Sequence, residues 1–551
     1  MTYSKEKLVD LLSETAQLMR CLGENDFKIR AYEKASDVLL RSQEDLRKIA
    51  DGLVKISGIG EGLKTSIKEF LNSGTIKLYE ELIHKIPKPV IELMQLPGLG
   101  PKKAMQVFKE LGVQTLGELE YACRENRLLK LTGFGDALQG KILKNIEQLK
   151  SNTGKLRLDA AVFKKNEIES LLRERGIKQI FPVGALARHC EIISELEFFL
   201  VAEKSQIANL DFFESSTQTK HIVGDEKLVS ISGVTPEKFM LTFWISPKQV
   251  SPLTLQWLCA HPDLRSNIEG SSFLDWEPSW LEPEWFSAHR NPNKNTYRTS
   301  AFGSVKGFFH CHTNASDGAN TLEEMVKEAE KLGFEYIGIS DHSQSAIYAH
   351  GLKLESILEQ RMQVKELQKK VSIRIFYGVE SDILGDGSLD YAPEVLSDFD
   401  FIVGSIHNRF QMDEKAMTER LVTALSNPYI TIWGHPTGRL LLGRPSYLLD
   451  WDLCIKTAKE NNVAIEINAN AQRLDVDWRL GEKLEKSGVA ICINPDAHNI
   501  GGLKHTQYGE WMAEKAMLNA TQILNLKNVS EMEKYLWERK KVSKSYLHQS
   551  I

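Results

Sequence analysis

Between Phe308 and His498, six histidines and three acidic residues each arrive just after a short apolar run, and this recurrence constrains the fold more than any other feature. The runs close in turn on His310-Cys311-His312, Asp341-His342, Glu380, Ser405-Ile406-His407, Gly434-His435, Glu466-Ile467-Asn468 and Asp496-Ala497-His498. Between them lie stretches such as Leu322 to Leu332 and Leu354 to Val371, whose apolar residues fall at helical spacing. Seven strand-then-helix units predict a closed α/β barrel. In such a barrel the strand-to-helix loops converge at the C-terminal rim, where every one of these polar residues falls. A lone histidine is ordinarily a core or surface residue, but six at one end of successive strands, with Asp317, Glu380 and Asp496, predict a metal cluster.

Imidazoles and carboxylates together suit zinc, manganese or iron, and the absence of a convergent thiolate set argues against a structural zinc site or an iron-sulfur cluster. A set this rich predicts more than one ion. Clustered divalent ions acidify a water and stabilise both oxygens of an in-line displacement, so phosphoester hydrolysis is the expected chemistry.

These residues resemble the PHP (polymerase and histidinol phosphatase) domain: His310-x-His312, Asp317-Gly318, Asp341-His342, Glu380, Ser405-x-His407, Gly434-His435-Pro436 and Asp496-Ala497-His498. The resemblance implies three metal sites, with manganese or zinc. The first would take His310, His312, Glu380 and Asp496, the second Glu380, His407 and His435, and the third Asp317, His342 and His498. Glu380 would bridge two ions, with Asp496 beside it at the reacting centre. Arg439, just beyond His435-Pro436, is either a bidentate clamp for a substrate phosphate or an ordinary rim arginine.

At 551 residues the chain is too long for one core. The seven cysteines are odd in number, scattered and without a C-x-x-C pair, which suits a reducing compartment. With no apolar signal core after Met1 and no run long enough to span a bilayer, the expected location is cytoplasmic, away from membranes. The net charge of −5 is uneven: residues 1–150 carry 24 Lys and Arg against 21 Asp and Glu, a balance of +3, which leaves −8 for the remainder. That asymmetry is too small to define a nucleic-acid face, so motifs must decide.

Three segments at the front repeat apolar-x-Gly-apolar-Gly before a helix: Ile56-Ser57-Gly58-Ile59-Gly60, Leu96-Pro97-Gly98-Leu99-Gly100 and Leu131-Thr132-Gly133-Phe134-Gly135. Each resembles a helix-hairpin-helix, whose glycines permit a tight turn so that free N–H groups at the next helix start can hold a phosphate oxygen. Such contacts ignore base identity. Lys64, Lys68, Lys102 and Lys103 add cationic groups. The competing reading is that such turns only pack helices. With Asn25 to Tyr32 ahead of them, the hairpins are similar to the N-terminal and fingers regions of family X DNA polymerases, which in bacteria often carry a C-terminal PHP domain. Some relatives place a lyase lysine where this chain has Ser66.

The resemblance implies an α+β nucleotidyltransferase palm next, with Gly-Ser, a paired Asp-x-Asp and a third Asp holding two magnesium ions. Here the matching residues are Ala185 after Gly184, then Glu195 and Glu197, then Thr242. A glutamate arm is longer by a methylene, magnesium demands near-octahedral geometry, and threonine is no anionic ligand, so the polymerase site reads as degenerate. Glu195 and Glu197 also fit the polar face of an alternating strand, with Leu196 and Phe198 inward. Trp257, Trp276, Trp280 and Trp285, with Pro283 and Pro292, suggest a reduced thumb and a linker.

The expected organisation is multidomain: an all-α helix-hairpin-helix domain over 1–85, a fingers-like hairpin pair over 86–152, the palm over 153–247, the thumb and linker over 248–302, and the metal-dependent barrel over 303–545. The expected function is DNA-binding, metal-dependent phosphoester hydrolysis on gapped or 3′-recessed DNA, and the resemblance supplies the 3′-to-5′ direction and a role in repair. Three alternatives stay open: an active gap-filling polymerase with an attached exonuclease, a small-molecule phosphatase of histidinol phosphatase type, and a non-catalytic repair scaffold.

Overall fold

The computed structural model of the chain describes residues 5–42, 44–94, 96, 98–151, 154–207, 212–223, 225–265, 282–283 and 303–549. They divide into two compact units, Met1–Cys123 with Leu128–Ile146, and Arg124–Arg127 with Glu147–Ile551. Residue 85, the expected boundary between the two helical domains, lies inside the first unit. Helices on both sides of it share one apolar core, in which Leu12, Phe70, Leu93, Val107 and Ile142 are fully buried.

The first unit is all helix. Its opening helix, Lys5–Leu22, buries Leu8, Leu12, Ala16 and Met19, a stripe at three- and four-residue spacing. The three glycine motifs form the same turn three times. Gly58, Gly98 and Gly133 have φ of 102°, 95° and 83°, a left-handed backbone that favours glycine. The amides of Ile59, Leu99 and Phe134 donate back to Ile56, Leu96 and Leu131, while their side chains enter the core. A helix follows each turn: Glu61–Ser73, Pro101–Leu111 and Asp136–Ser151. Pro97 lies outside the described residues.

The second unit opens with a palm of mixed sheet. A short ribbon pairs β1 (Leu156–Arg157) with β3 (Ile192–Ile193). The main sheet has the order β2 (Gln179–Val183), β4 (Glu195–Val201), β7 (Met240–Ser246), β6 (Glu226–Val234), β5 (Ser215–Val223), with β4 and β7 parallel and the other pairs antiparallel. Along β4, Leu196 and Phe198 are fully buried while Glu195 and Glu197 lie on the other face, half-buried. Trp257, on the helix Pro252–Cys259, packs edge-on to Trp244 and under Arg265. Trp276, Trp280, Trp285 and Pro292 lie outside the described residues.

The barrel follows as seven parallel strands in chain order: β8 (Gly307–Phe308), β9 (Tyr336–Ile339), β10 (Arg374–Asp382), β11 (Phe401–Ser405), β12 (Ile432–Trp433), β13 (Ala464–Asn468) and β14 (Ile491–Asn494). A parallel bridge from Cys311 to Ala497, and a bond from the Phe309 amide to Asn494 Oδ1 at 2.8 Å, join the last strand to the first. Phe309, Tyr336, Phe376 and Phe401 fill the interior with ring centroids 4.9–5.7 Å apart, each contributing roughly 1.5–3 kcal/mol by burial. Gly378 makes room for them, since a Cβ there would lie 2.4 Å from Phe401. Leu524, Met532 and Leu536 close the same core, the last two from the helix Val529–Gln549. The palm and the barrel share a continuous apolar core, so they form one unit. No helix of the described residues is long and apolar enough to cross a membrane.

Candidate metal centre

All nine expected ligands meet at the C-terminal rim and all are buried or nearly so. The reason is local: each follows or ends a strand, so the barrel's tilt turns its side chain toward the axis. Glu380, in β10, is the hub. Its Oε1 lies 2.9 Å from His435 Nε2, 3.2 Å from His407 Nε2 and 3.3 Å from His310 Nε2, and its Oε2 lies 3.0 Å from His342 Nδ1 and 3.5 Å from His312 Nε2. Asp496 Oδ1 is 3.4 Å from His310 and 3.3 Å from His312. Asp317 is 3.4 Å from both His342 and His498.

These spacings suit cations. Two donors about 2.0–2.1 Å from one tetrahedral ion lie about 3.3 Å apart. Both nitrogens of His312 and His342, together with His310 Nε2, His435 Nδ1, His498 Nε2, Asp317 Oδ2 and Glu380 Oε2, are buried without a hydrogen-bond partner, which buried polar atoms rarely tolerate. Among the described residues, groups able to hold an ion are His312, Asp317, His342 and His498; His310, His435 and Asp496; His310, His312 and Glu380; His342, Glu380 and His407; and Glu125, Asp496 and His498. The expected third set therefore gathers His312 as well, while His342 and His407 share Glu380.

The electrostatics agree with that reading. Burial works against charge throughout, yet Glu466, Asp496 and Glu380 hold His310 well above its usual range. Against the same burial, Glu125 and Asp317 push His498 up to about 9. Burial would raise the Glu380 carboxyl, but His310, His342 and His407 hold it well below the usual range. Burial and neighbouring Arg473 push His435 down to about 4.

The orienting roles of several residues around the ligands escaped sequence reasoning. Glu466, in β13, accepts His310 Nδ1 at 2.7 Å and the His435 amide at 2.6 Å, and Asp382 accepts His407 Nδ1 at 2.7 Å. Both bonds leave Nε2 facing inward. Asp341 accepts the Thr313 amide and hydroxyl, Ser316 and Gln360, which fixes the loop carrying His312 and Asp317. An acid in the middle of Ala464-Ile465-Glu466-Ile467 was a readable signal. Nothing in the sequence signalled Glu125, whose Oε1 lies 3.5 Å from His498, or Arg127, whose Nε lies 3.5 Å from Asp317.

Arg439 requires correction as a phosphate clamp. Its guanidinium donates to the Arg473 carbonyl at 2.9 Å, to Asp477 Oδ2 at 2.7 Å, to Glu191 Oε1 at 3.2 Å and to the Leu474 carbonyl, so its fork is occupied within the protein. Arg473, 3.5 Å from Asp496 Oδ2, and Arg127, 3.5 Å from Asp317 Oδ2, are arginines that do reach the ligands.

In the palm, Thr242 lies opposite Glu197 in the β4–β7 register. Its hydroxyl is 2.5 Å from Glu195 Oε1 and 2.7 Å from Ser232 Oγ. Glu197 accepts Trp244 Nε1 at 3.2 Å and lies 3.6 Å from Arg265. Its carboxylate occupies the space over Gly184, where an added Cβ would come 1.7 Å from Oε2. Ala185 sits in the turn Gly184–Ala187, packed against the core.

In the helical unit, Gly60, Gly100 and Gly135 stand immediately before their helices, and no side chain caps the first two. Lys102 is exposed, and Lys103 lies over Phe134 at 5.2 Å from the ring centroid. Lys64 and Lys68 are engaged by Glu61 and Asp51. Ser66 is buried 3.2 Å from the Tyr32 hydroxyl, so that position holds no amine nucleophile.

Fold and site define a metal-dependent hydrolase with helix-hairpin-helix elements. Residues 309–470 match the PHP domain, residues 4–76 a helix-hairpin-helix domain and residues 90–147 a SAM-like helix-hairpin-helix tandem. The chain is 30% identical to the DNA polymerase/3′-5′ exonuclease PolX of Bacillus subtilis over 97% of its own length and 99% of that protein. A probable phosphatase of Caldicellulosiruptor saccharolyticus is 35% identical over 34% of this chain and 78% of its own. A solved histidinol phosphate phosphatase from Lactococcus lactis, complexed with zinc, L-histidinol and phosphate, covers 39% of this chain and 95% of its own at 17% identity and a TM-score of 0.29. The chain belongs to the PolX family, with a C-terminal PHP domain.

Proposed function

We propose that this protein binds DNA without regard to sequence and shortens it from the 3′ end, hydrolysing phosphodiesters at the barrel's metal centre. The observation that carries the reading is the Glu380 carboxylate, within 3.5 Å of five histidines whose inward nitrogens mostly lack partners. The nine residues His310, His312, Asp317, His342, Glu380, His407, His435, Asp496 and His498 fit three divalent ions, manganese or zinc. Bound there, such ions supply an acidified water and charge stabilisation for the attacking and leaving oxygens.

The chain's own residues do the rest. Glu466 and Asp382 take the Nδ1 protons of His310 and His407, so that each ring would present its Nε2 as the donor to an ion bound at the centre. Arg473, alongside Asp496, provides positive charge where a scissile phosphate would sit. The turns at Gly58-Gly60, Gly98-Gly100 and Gly133-Gly135 offer helix starts, the first two without a side-chain cap, to backbone phosphates, with Lys102 and Lys103 beside the second. Gapped and 3′-recessed duplexes, as met in repair, are the substrates such a grip suits.

The polymerase site is inactive in this reading. Two longer carboxylates, a threonine hydroxyl in place of the third acid, and Ala185 in place of serine do not make a two-magnesium site, and Glu197 fills the space over Gly184. One observation favours a second reading: the Bacillus subtilis relative, matched over 97% of this chain, is named as a polymerase as well as an exonuclease.

A 5′-labelled primer on gapped and 3′-recessed templates, with manganese and with or without dNTPs, separates the two. Stepwise shortening unaffected by dNTPs supports the proposal. Extension would establish the second reading, and turnover of small phosphomonoesters without DNA shortening would transfer the function to a phosphatase.

A further inference from the structure

The correction at Arg439 leaves a buried guanidinium linking the palm to the metal centre. The loop after β13, Asn468 to Trp478, grips the ligand Asp496 on one side. Asn468 Nδ2 donates to Asp496 Oδ2 at 3.0 Å, Asn470 Nδ2 to its carbonyl at 3.4 Å, and Arg473 Nε lies 3.5 Å from Oδ2. Asp496 itself has φ of 48°, a left-handed conformation costly for a non-glycine residue and kept only where neighbours hold it.

The loop's other side is held by Arg439, through the carbonyls of Arg473 and Leu474 and the carboxylate of Asp477. Arg439 is in turn held by a residue outside the barrel. Glu191, in the palm just before β3 and buried, accepts Arg439 Nη2 at 3.2 Å through Oε1 and Trp478 Nε1 at 3.2 Å through Oε2, and Arg479 Nη1 lies 3.4 Å away.

We propose that Glu191 is a positioning residue for the metal centre, acting through Arg439 and the loop 468–478 on the ligand Asp496. The inference rests on the metal-centre reading above and adds to it a task for the palm that involves no nucleotide. Glu191 draws together two donors from opposite ends of one structure, Arg439 beyond β12 and Trp478 at the loop's close. An amide there keeps the shape but removes the charge and turns one acceptor into a donor, against either Arg439 or Trp478. Partners behind metal ligands are commonly worth 10- to 100-fold in metal affinity, and Glu191 is separated from Asp496 by Arg439 and the loop, so the lower end is expected.

The test compares full-length wild type, Glu191→Gln, Arg439→Lys and Arg188→Gln. Arg188 belongs to the same palm–barrel junction, pairing with Glu282 at 3.2 Å and donating to the Cys259 carbonyl at 2.8 Å, but neither contact touches the loop. Manganese and zinc dissociation constants are measured by equilibrium dialysis with elemental analysis, at a temperature where all variants are folded, alongside melting in EDTA. Glu191→Gln and Arg439→Lys should each weaken binding of one ion about tenfold, while Arg188→Gln lowers the melting temperature and leaves metal affinity unchanged. Wild-type affinity in Glu191→Gln, or equal weakening in Arg188→Gln, would overturn the positioning role and leave the metal centre intact. A wild type that holds no ion would overturn both. If Glu191→Gln does not fold, Arg439→Lys carries the comparison.

Discussion

Replacing Glu466 with glutamine should disable the centre by changing the tautomer of one ligand. Glu466 Oε1 accepts His310 Nδ1 at 2.7 Å and Asn494 Nδ2 at 2.9 Å, and its Oε2 accepts the His435 amide at 2.6 Å and Asn468 Nδ2 at 3.1 Å. A glutamine keeps one acceptor oxygen. If its NH₂ faced the His435 amide, two N–H groups would oppose each other with no relief, because a backbone amide cannot change its proton. If it faces His310, the imidazole can respond by moving its proton to Nε2 and accepting through Nδ1. The second arrangement is favoured, and it places a proton on the nitrogen that points at Glu380 and Asp496. His310 then ligates only after paying for the unfavourable tautomer. The expected loss is 10- to 100-fold in metal affinity, about 1.4–2.8 kcal/mol, with a parallel fall in DNA shortening at limiting manganese. Titration with buffered manganese reads the affinity, and saturating metal should restore part of the rate. Unchanged affinity and rate in Glu466→Gln would refute the tautomer argument.

Other outcomes follow from named contacts. Burial, offset by Arg439 and the Thr437 bonds, raises the Asp475 carboxyl to about 6, above its unfolded value, so its contribution to stability is full below about pH 4 and declines as pH rises through about 6. Asp475→Asn should therefore flatten the wild-type stability curve between those values by up to about 3 kcal/mol in urea melts, and an unaltered slope would contradict the assignment. Lys102→Glu with Lys103→Glu should weaken DNA binding uniformly across sequences and reduce the salt slope by roughly 2, as fluorescence anisotropy at several salt concentrations would read; an unchanged slope would remove them from the interface. Gly133→Ala meets open space but keeps φ of 83°, so backbone strain alone should lower stability by about 1–2 kcal/mol, and an unchanged denaturation midpoint would contradict the turn geometry. Gly378→Ala should cost about 1–3 kcal/mol by pressing on Phe401, measured the same way, with wild-type stability counting against the packed interior.

The barrel was legible because its strands are short and apolar and all but β13 lead into a metal-binding side chain, so periodicity and chemistry pointed to one end of one sheet. The ligands could be named from sequence for that reason. The residues that orient them could not: Glu466 lies 156 positions from His310, and only the closed barrel brings them together. The two readings of Arg439 could not be separated in sequence because its place beyond His435-Pro436 says nothing of direction; its side chain turns to Glu191 and the loop 468–478. The hairpin turns were readable from glycine spacing, since the left-handed backbone demands that residue. That helices on both sides of residue 85 bury into one core was not, because no local pattern records such continuity.

The most direct test is the 3′-shortening rate of a 5′-labelled recessed duplex by wild type and by His310→Ala/His312→Ala, under equal manganese, with DNA binding measured in parallel. Retained binding with shortening reduced at least a thousandfold is the predicted result. Shortening that persists in the variant at the wild-type rate would place the hydrolytic site elsewhere and contradict the barrel assignment.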